Sequence, residues 1–128
     1  MAKILIADDE AQVREMLEQT LEELEDEGVE LITAANGKEA LEAIRQHRPE
    51  LVFLDVLMPK MNGLEACKAA KNQLGLRDVH VVMLTTQGQD YENLQAGQSG
   101  ADHLLAKPLD PDEVNDTAMG ILKRRASC

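Results

Sequence analysis

Acidic residues directly follow two short apolar runs of this chain. Asp8 and Asp9 come after "KILIA" (3–7), and Asp55 comes after "LVFL" (51–54). Three carboxylates a few ångströms apart repel one another strongly unless a cation neutralises them. Oxygen ligands without neighbouring His or Cys favour a hard cation, so these residues would together suit Mg²⁺, with Mn²⁺ as a possible substitute. The first question is therefore whether the fold brings them to one place.

A hydroxyl and an ammonium group end two further apolar runs. Thr85 follows "HVVML" (80–84), and Lys107 follows "HLLA" (103–106). A carboxylate that attacks phosphorus gives an aspartyl phosphate, through a transition state that spreads charge over three equatorial oxygens. A metal ion, the Lys107 ammonium and the Thr85 hydroxyl could each stabilise one of those oxygens. If these groups meet the carboxylates, the pattern indicates phosphoryl chemistry.

The apolar runs alternate with segments of helical spacing, which predicts how these groups are positioned. Strands are predicted over 3–7, 30–34, 51–54, 80–84 and 103–106, and helices over 13–24, 35–48, 63–74, 90–97 and 110–125. Alternating strands and helices favour an α/β domain, and continuous apolar strands are typical of a parallel sheet covered on both faces. We therefore predict a doubly wound (βα)5 sandwich, in which strands one and three are neighbours if it has the flavodoxin-like strand order 2-1-3-4-5. In that order the strand ends carrying the acids share one edge.

Composition excludes several classes of protein. The 128 residues carry a formal net charge of −11, which disfavours direct binding to nucleic acid or to an anionic membrane. Two cysteines, Cys67 and Cys128, give no disulfide framework. No signal peptide or membrane span is evident. We expect a single cytoplasmic domain over 1–128, with no output domain.

Four motifs together resemble the response-regulator receiver domain (CheY-like) of two-component signalling, in its single-domain form. They are "ADDE" (7–10), "FLDVLMPKMNG" (53–63), "MLTT" (83–86) and "LAKPL" (105–109), in the family's order and on the corresponding elements. The resemblance implies that Asp55 accepts a phosphoryl group from a sensor histidine kinase or a histidine phosphotransfer protein. Such a domain is a signalling module, not an enzyme, although it assists its own phosphorylation and dephosphorylation.

The resemblance also implies a ligand set for the metal ion. Asp9 and Asp55 would bind Mg²⁺ directly, together with the backbone carbonyl of Leu57, and Asp8 would act through water. The Thr85 hydroxyl would move onto the phosphoryl group, and Lys107 would hold another of its oxygens.

The same resemblance extends to the backbone and to the output of the domain. The peptide bond between Lys107 and Pro108 would be cis, a conformation that is essentially confined to proline. The output would be a small rearrangement of the face made by the fourth helix (90–97), the fifth strand and the last helix. It would be read by an unknown downstream effector protein, with the chain a monomer or a phosphorylation-dependent dimer.

Some positions depart from the family's usual pattern. Leu104 stands where an aromatic switch residue is common, so aromatic switching is not available in its usual form. Thr86 replaces a smaller residue, and Leu57 and Gln87 occupy positions that tune dephosphorylation. Because Leu57 is apolar and cannot orient an attacking water, we predict a long-lived phosphoryl state.

Three other classes of function fit this sequence less well. A phosphohydrolase of the haloacid-dehalogenase type would carry a second Asp at position 57, where this chain has Leu. A binding-only pseudo-receiver would not need the complete set of acids, hydroxyl and lysine. A flavin carrier would need a phosphate-binding loop after the first strand, where the acids would repel it.

Ordinary structural roles explain each candidate taken alone. Asp8 and Asp9 could cap the first helix, Asp55 could be a turn residue, Thr85 could reflect strand propensity and Lys107 could be a surface lysine. His47, His80 and His103 lack metal-ligand spacing, so we expect no metal site at the histidines. What favours phosphoryl chemistry is that the acids, Thr85 and Lys107 are all expected at the same edge of the sheet.

Overall fold

Five strands and a set of connecting helices make up the part of the chain that the structure describes. This computed structural model describes residues 2–26, 28–56, 58, 60–76, 78–86 and 101–127, with the side chains of 86 and 124–127 left aside. The strands are β1 (Lys3–Ala7), β2 (Glu30–Ala34), β3 (Leu51–Asp55), β4 (His80–Thr86) and β5 (His103–Lys107). The helices are α1 (Ala11–Thr20), α2 (Glu22–Asp26), α3 (Gly37–His47), α4 (Gly63–Lys68) and α5 (Pro111–Ser127).

The strands form one parallel sheet in the order β2-β1-β3-β4-β5. This confirms the predicted flavodoxin-like topology. Because β1 and β3 are parallel neighbours, the loops that follow them leave the same edge of the sheet side by side, at the point where the strand order reverses. The predicted helix over 90–97 lies outside the described residues. None of the helices within the described ranges is long and apolar enough to cross a bilayer.

Alternate residues of each strand fill two aliphatic layers. One layer combines Leu5, Val52, Leu54, Val81 and Met83 with α3 and α4, and the other combines Ile4, Ile6, Phe53, Val82 and Leu84 with α1 and α5. Both faces of the sheet are therefore buried, as the continuous apolar runs predict. Burial of each such side chain contributes about 1.5–3 kcal/mol, so the central strands are held rigidly.

The first helix is interrupted where a continuous helix over 13–24 was predicted. α1 ends at Thr20, Leu21 leaves helical geometry with ψ of 6°, and α2 follows as a separate short segment. Leu21 and Leu24 are nevertheless both buried. The segment "EELED" (22–26) stays helical as α2 although its acidic residues are spaced three and four apart.

The helix predicted over 63–74 changes its winding partway. After α4 the chain makes a π-helical turn over Ala69–Gln73, in which the Leu74 amide donates to the Ala69 carbonyl. Regular helical spacing from Cys67 and Ala70 predicts that Leu74 points inward, and this prediction is wrong, since Leu74 is 40% exposed. The wider turn changes which side chains face the core, and Lys71, which lies within it, is buried at 7% exposure.

The last helix begins as the sequence predicts. The Asp110 side chain accepts a hydrogen bond of 2.9 Å from the Asp112 amide, and Pro111 occupies the first helical position. A short acidic side chain before proline satisfies amides that otherwise have no partner at a helix start. This cap fixes where the chain turns after β5.

Candidate functional site

The carboxyl ends of four strands bring the predicted residues to one edge of the sheet. Asp8 follows β1, and Asp55, Thr85 and Lys107 lie at the ends of β3, β4 and β5. Asp8 is fully buried, and Asp55 and Thr85 are 5% and 4% exposed. Register fixes their relative heights, because Asp55 pairs with Leu84 and Thr85 pairs with Ala106 across the sheet. Carboxylates are seldom buried this deeply at a surface cap or turn.

Lys107 connects the acids of this edge through a set of ion pairs. Its Nζ lies 3.0 Å from Oδ2 of Asp8, 3.4 Å from Oδ1 of Asp55 and 3.4 Å from Oε1 of Glu10. The lysine side chain is only 16% exposed. The Lys107 ammonium therefore forms ion pairs with three carboxylates. Because one positive charge faces three acidic groups, this cluster keeps an excess of negative charge when the acids are ionised.

Glu10 is a member of this cluster that the sequence reasoning did not assign. It is 60% exposed and reaches Lys107 from the start of α1. The only signal for it in the sequence is its place in "ADDE", where it reads equally well as a helix-capping acid. α1 has no side-chain cap at Glu10, so the Glu10 carboxylate points to the cluster and not to the helix end.

Asp8 is oriented by its own backbone neighbours. Its Oδ1 accepts a hydrogen bond of 2.9 Å from the Glu10 amide, and its main-chain carbonyl accepts one from Arg14. The Asp8 amide donates to the Ala34 carbonyl at the end of β2. These bonds leave Oδ2 directed at Lys107 and fix the turn from β1 into α1.

Burial and charge shift the proton affinity of the site. Removal from water, followed by repulsion from Asp8, raises the pKa of Asp55 from 3.8 to about 7, although the Lys107 ammonium opposes the shift. Burial lowers the pKa of Lys107, but the Asp8 and Asp55 carboxylates outweigh it, so that this pKa lies above its ordinary value of 10.5. Lys107 therefore stays charged, and Asp55 is poised to lose its proton near neutral pH when a cation is present.

The acids at the start of α1 can hold a metal ion. One carboxylate oxygen from each of Asp8, Asp9 and Glu10 can be chosen so that all three lie within 4.8 Å of one another. Asp8 is buried with Lys107 as its neighbouring cation, while Asp9 is exposed and accessible. An all-oxygen donor set with excess negative charge fits Mg²⁺, which binds few carboxylates and keeps several waters.

Some predicted site residues fall outside this description. Leu57 and Gln87 lie outside the described residues, and of Thr86 only the backbone, as the last residue of β4, is described. The predicted metal ligand at the Leu57 carbonyl and the tuning roles of Leu57, Thr86 and Gln87 therefore remain predictions. Leu104 lies on β5 with its side chain 42% exposed. The Lys107–Pro108 peptide bond is cis, as predicted.

The glycine after the acid-bearing strand allows a close backbone approach. A Cβ built on Gly63 would lie 2.1 Å from the carbonyl oxygen of Asp55, and the Gly63 amide donates to the Val56 carbonyl at 2.8 Å. Asn62 and Glu65 then form a reciprocal capping box that starts α4. The turn "NG" in this motif thus packs α4 against the end of β3, and so fixes the backbone that carries Asp55.

Comparison with known protein families agrees with this geometry. The family model of the response regulator receiver domain matches residues 4–118. The chain is 40% identical over 99% of its length to the transcriptional regulatory protein CpxR homolog of Haemophilus influenzae, covering 53% of that protein. It is 39% identical over 95% of its length to the probable transcriptional regulator ycf27 of Pyropia yezoensis, covering 48% of it.

Solved structures give the same result. The chemotaxis response regulator CheY4 of Vibrio cholerae matches with a TM-score of 0.82 and 35% identity, over 94% of this chain and 98% of that one. A response regulator from Chloroflexus aurantiacus matches with a TM-score of 0.83 and 34% identity, over 95% and 98% of the two chains. The fold and the site thus define a CheY-like signalling domain.

This chain belongs to the response regulator receiver domain family. It spans about half the length of the curated relatives that it matches. Receiver domains of this family act in two-component systems as signalling domains.

Proposed function

We propose that this receiver domain accepts a phosphoryl group on Asp55 from a phosphohistidine, of a sensor histidine kinase or of a histidine phosphotransfer protein. The observation that carries the proposal is the placement of a buried Asp55 carboxylate 3.4 Å from the Lys107 ammonium, at the end of a rigid central strand. An aspartate with only a turn-forming or surface role is ordinarily exposed to solvent, whereas Asp55 is buried beside Lys107.

The transfer exchanges one bond to phosphorus for another. A carboxylate oxygen of Asp55 forms the bond to phosphorus while the bond to the donor's imidazole nitrogen breaks, and that nitrogen keeps the electron pair. Lys107 favours the ionised form of Asp55 before the reaction and holds a phosphoryl oxygen during it. Thr85, on the adjacent strand β4, would donate its hydroxyl to another oxygen.

We propose Mg²⁺, with Mn²⁺ as a substitute, as the cation of the site. When bound, it neutralises charge on the phosphoryl oxygens and on the carboxylates. Asp9 and Asp55 would hold it directly with the Leu57 carbonyl, and Asp8 would act through water. The close approach of the Asp8 and Asp9 carboxylates at the start of α1 supports their part in this ligand set.

The output proposed for the phosphorylated state is a shift of the face around β5. Movement of Thr85 toward the phosphoryl group would be accompanied by repositioning of Leu104, which is half-exposed on β5. An effector protein would read this change, and the chain would act as a monomer or as a phosphorylation-dependent dimer. Several curated relatives are transcriptional regulators. The net charge of −11 favours an output of that kind through another protein or segment and not through direct DNA contact.

Phosphorylation and its site are tested together by intact mass. The chain is incubated with Mg²⁺ and a small acyl-phosphate donor, alongside Asp55→Asn and the exposed control Asp116→Asn. We expect one added phosphoryl group in the wild type and the control, none in Asp55→Asn, and none in any sample after chelation. Gain in Asp55→Asn would refute the assignment of the acceptor, and no gain in the wild type would favour a binding-only function.

The lifetime of the product tests a second part of the proposal. Because position 57 is Leu, no polar side chain there can orient an attacking water, and we expect slow intrinsic loss of the phosphoryl group. The mass of the isolated phosphorylated chain is followed over time with Mg²⁺ present. Leu57→Asn should shorten the lifetime, and fast decay of the wild type would contradict the prediction.

A further inference from the structure

Two histidines that are distant in sequence meet at the edge of the sheet opposite Asp55. His80 starts β4 and His103 starts β5, and their ring centroids lie 5.0 Å apart with the planes tilted by 41°. The spacing of the histidines in the sequence does not predict this contact. Sequence spacing reveals metal ligands on one helix or loop, but adjacent parallel strands bring together residues whose separation in the chain has no fixed value.

The sheet itself holds both histidines in place. His80 pairs with Leu51 across β3, and His103 pairs with Val82 across β4. Since side chains alternate along a strand, His80 lies on the same face as Val82, and His103 lies on the same face as Leu105, in one aliphatic layer. Ligands on rigid strands are already positioned before binding. His103 is exposed, whereas His80 is half-buried with its Nε2 atom shielded from solvent, so the pair is reached from the side of His103.

The ring separation matches that of two imidazoles on one metal ion. Two imidazoles that each bind a tetrahedral Zn²⁺ through one nitrogen at about 2.0–2.1 Å have centroids roughly 5 Å apart. Direct packing of two rings gives separations in the same range, about 4.5–7 Å. The distance is therefore compatible with chelation without any movement of the strands, and a binding experiment decides between the two explanations.

We propose that His80 and His103 form a site for a divalent transition-metal ion, with Zn²⁺ as the ligand and water completing the coordination. Imidazole nitrogen suits Zn²⁺, Ni²⁺ and Cu²⁺, whereas the oxygen-only cluster at the other edge suits Mg²⁺. A span of four to five residues along β4 or β5 separates the two edges by roughly 13–17 Å. The ion would clamp the amino ends of the two strands whose carboxyl ends carry Thr85 and Lys107.

The test is a Zn²⁺ titration of the full chain followed by the ring proton signals of the three histidines in NMR spectra. Saturating Mg²⁺ occupies the carboxylate cluster, and Cys128→Ser in every sample removes a competing thiolate. His47, on α3, is the internal control, with His47→Gln as the matched variant. We expect the His80 and His103 signals to shift together at one equivalent of Zn²⁺, while those of His47 stay unchanged.

Affinity and stability give two further readouts. Loss of a residue that only hydrogen-bonds a metal ligand weakens metal affinity about 10–100-fold. Because His103 is proposed as a ligand itself, His103→Gln should weaken Zn²⁺ binding by at least about tenfold. His103 is exposed, so this variant should fold even if His80→Gln does not. Zn²⁺ should also raise the Tm of the parent protein and of His47→Gln but not that of His103→Gln. Unchanged affinity in His103→Gln, or no shift of the His80 and His103 signals, would overturn the proposal.

Discussion

The Lys107 ammonium lies 3.0 Å from the Asp8 carboxylate in a contact that joins the ends of β1 and β5. These strands are not neighbours, since β3 and β4 lie between them in the sheet. The same ammonium also reaches Asp55 on β3, at 3.4 Å. The Lys107 ammonium thus links the ends of β1 and β3, which carry Asp8 and Asp55. The protonation state of these two acids therefore changes the electrostatic energy of the contact.

Neutralising Asp55 should stabilise the metal-free protein most at high pH. The pKa of Asp55 is about 7 in the folded chain and about 3.8 when exposed, so the folded state holds the proton more tightly between these values. The stability that this contributes is complete below about pH 4 and is lost as the pH rises through 7. The advantage of Asp55→Asn over wild type should therefore grow by about 2 kcal/mol from pH 5 to pH 8.

Urea unfolding with chelator at the two pH values measures this difference. Asp116→Asn, on the exposed side of α5, serves as the control and should show the same offset from wild type at both. An advantage of Asp55→Asn that does not change with pH would mean that the Asp55 proton is held no more tightly in the folded chain than in the unfolded one.

Removal of the Glu10 charge should make phosphorylation by a small acyl-phosphate donor faster. Glu10 competes for Lys107 at 3.4 Å and adds negative charge where an anionic donor must approach. A unit charge at this distance near water is worth about 1 kcal/mol, so Glu10→Gln should raise the initial rate about fivefold at saturating Mg²⁺. Glu15→Gln, an exposed acid farther along α1, is the matched control. A slower rate, together with weaker Mg²⁺ binding in calorimetry, would instead identify Glu10 as a metal ligand.

Gly63→Ala should destabilise the fold although it adds a single methyl group. The new Cβ would lie 2.1 Å from the Asp55 carbonyl oxygen and 2.8 Å from its carbonyl carbon, both of which are backbone atoms that cannot rotate away. Overpacking of this kind costs about 1–3 kcal/mol. Gly120→Ala is the control, because nothing lies within 4 Å of its Cβ in α5. That change should stabilise the chain by about 0.5–1 kcal/mol in urea unfolding, and equal effects at the two glycines would contradict the close approach.

Asp102→Ala should destabilise the fold at the amino ends of β4 and β5. The Asp102 carboxylate accepts hydrogen bonds from the Val81 amide at 2.8 Å and from the Lys71 ammonium at 3.0 Å. Lys71 is buried, so loss of this acceptor should cost about 2 kcal/mol, a value reduced because Asp102 is one-third exposed. Lys71→Met should cost less, since it removes the buried charge itself. Both are compared by urea unfolding with Asp116→Ala, and a loss in Asp102→Ala no larger than in that control would show the contact to be unimportant.

Local features of the sequence predicted most of the site. Acids, a hydroxyl and a lysine at the ends of apolar runs are visible because strands are short and regular, and parallel strands share one edge. The same reasoning missed Glu10, whose place after two aspartates suits a helix start as well as an ion pair. It also misjudged Leu74, because a π-helical turn shifts the helical phase without a distinctive sequence signal.

The sequence by itself determined the alternation of strands and helices and the strand ends that carry Asp8, Asp55, Thr85 and Lys107, because apolar periodicity and chain order are local properties. The strand order 2-1-3-4-5 was an expectation by analogy with the flavodoxin-like order, and the family rested on the resemblance of four motifs to receiver domains. Only the tertiary structure decided that Lys107 pairs with Asp8 and Glu10 as well as with Asp55, and that His80 meets His103. The physical reason is that contacts across a sheet depend on register and side-chain direction, and sequence separation encodes neither.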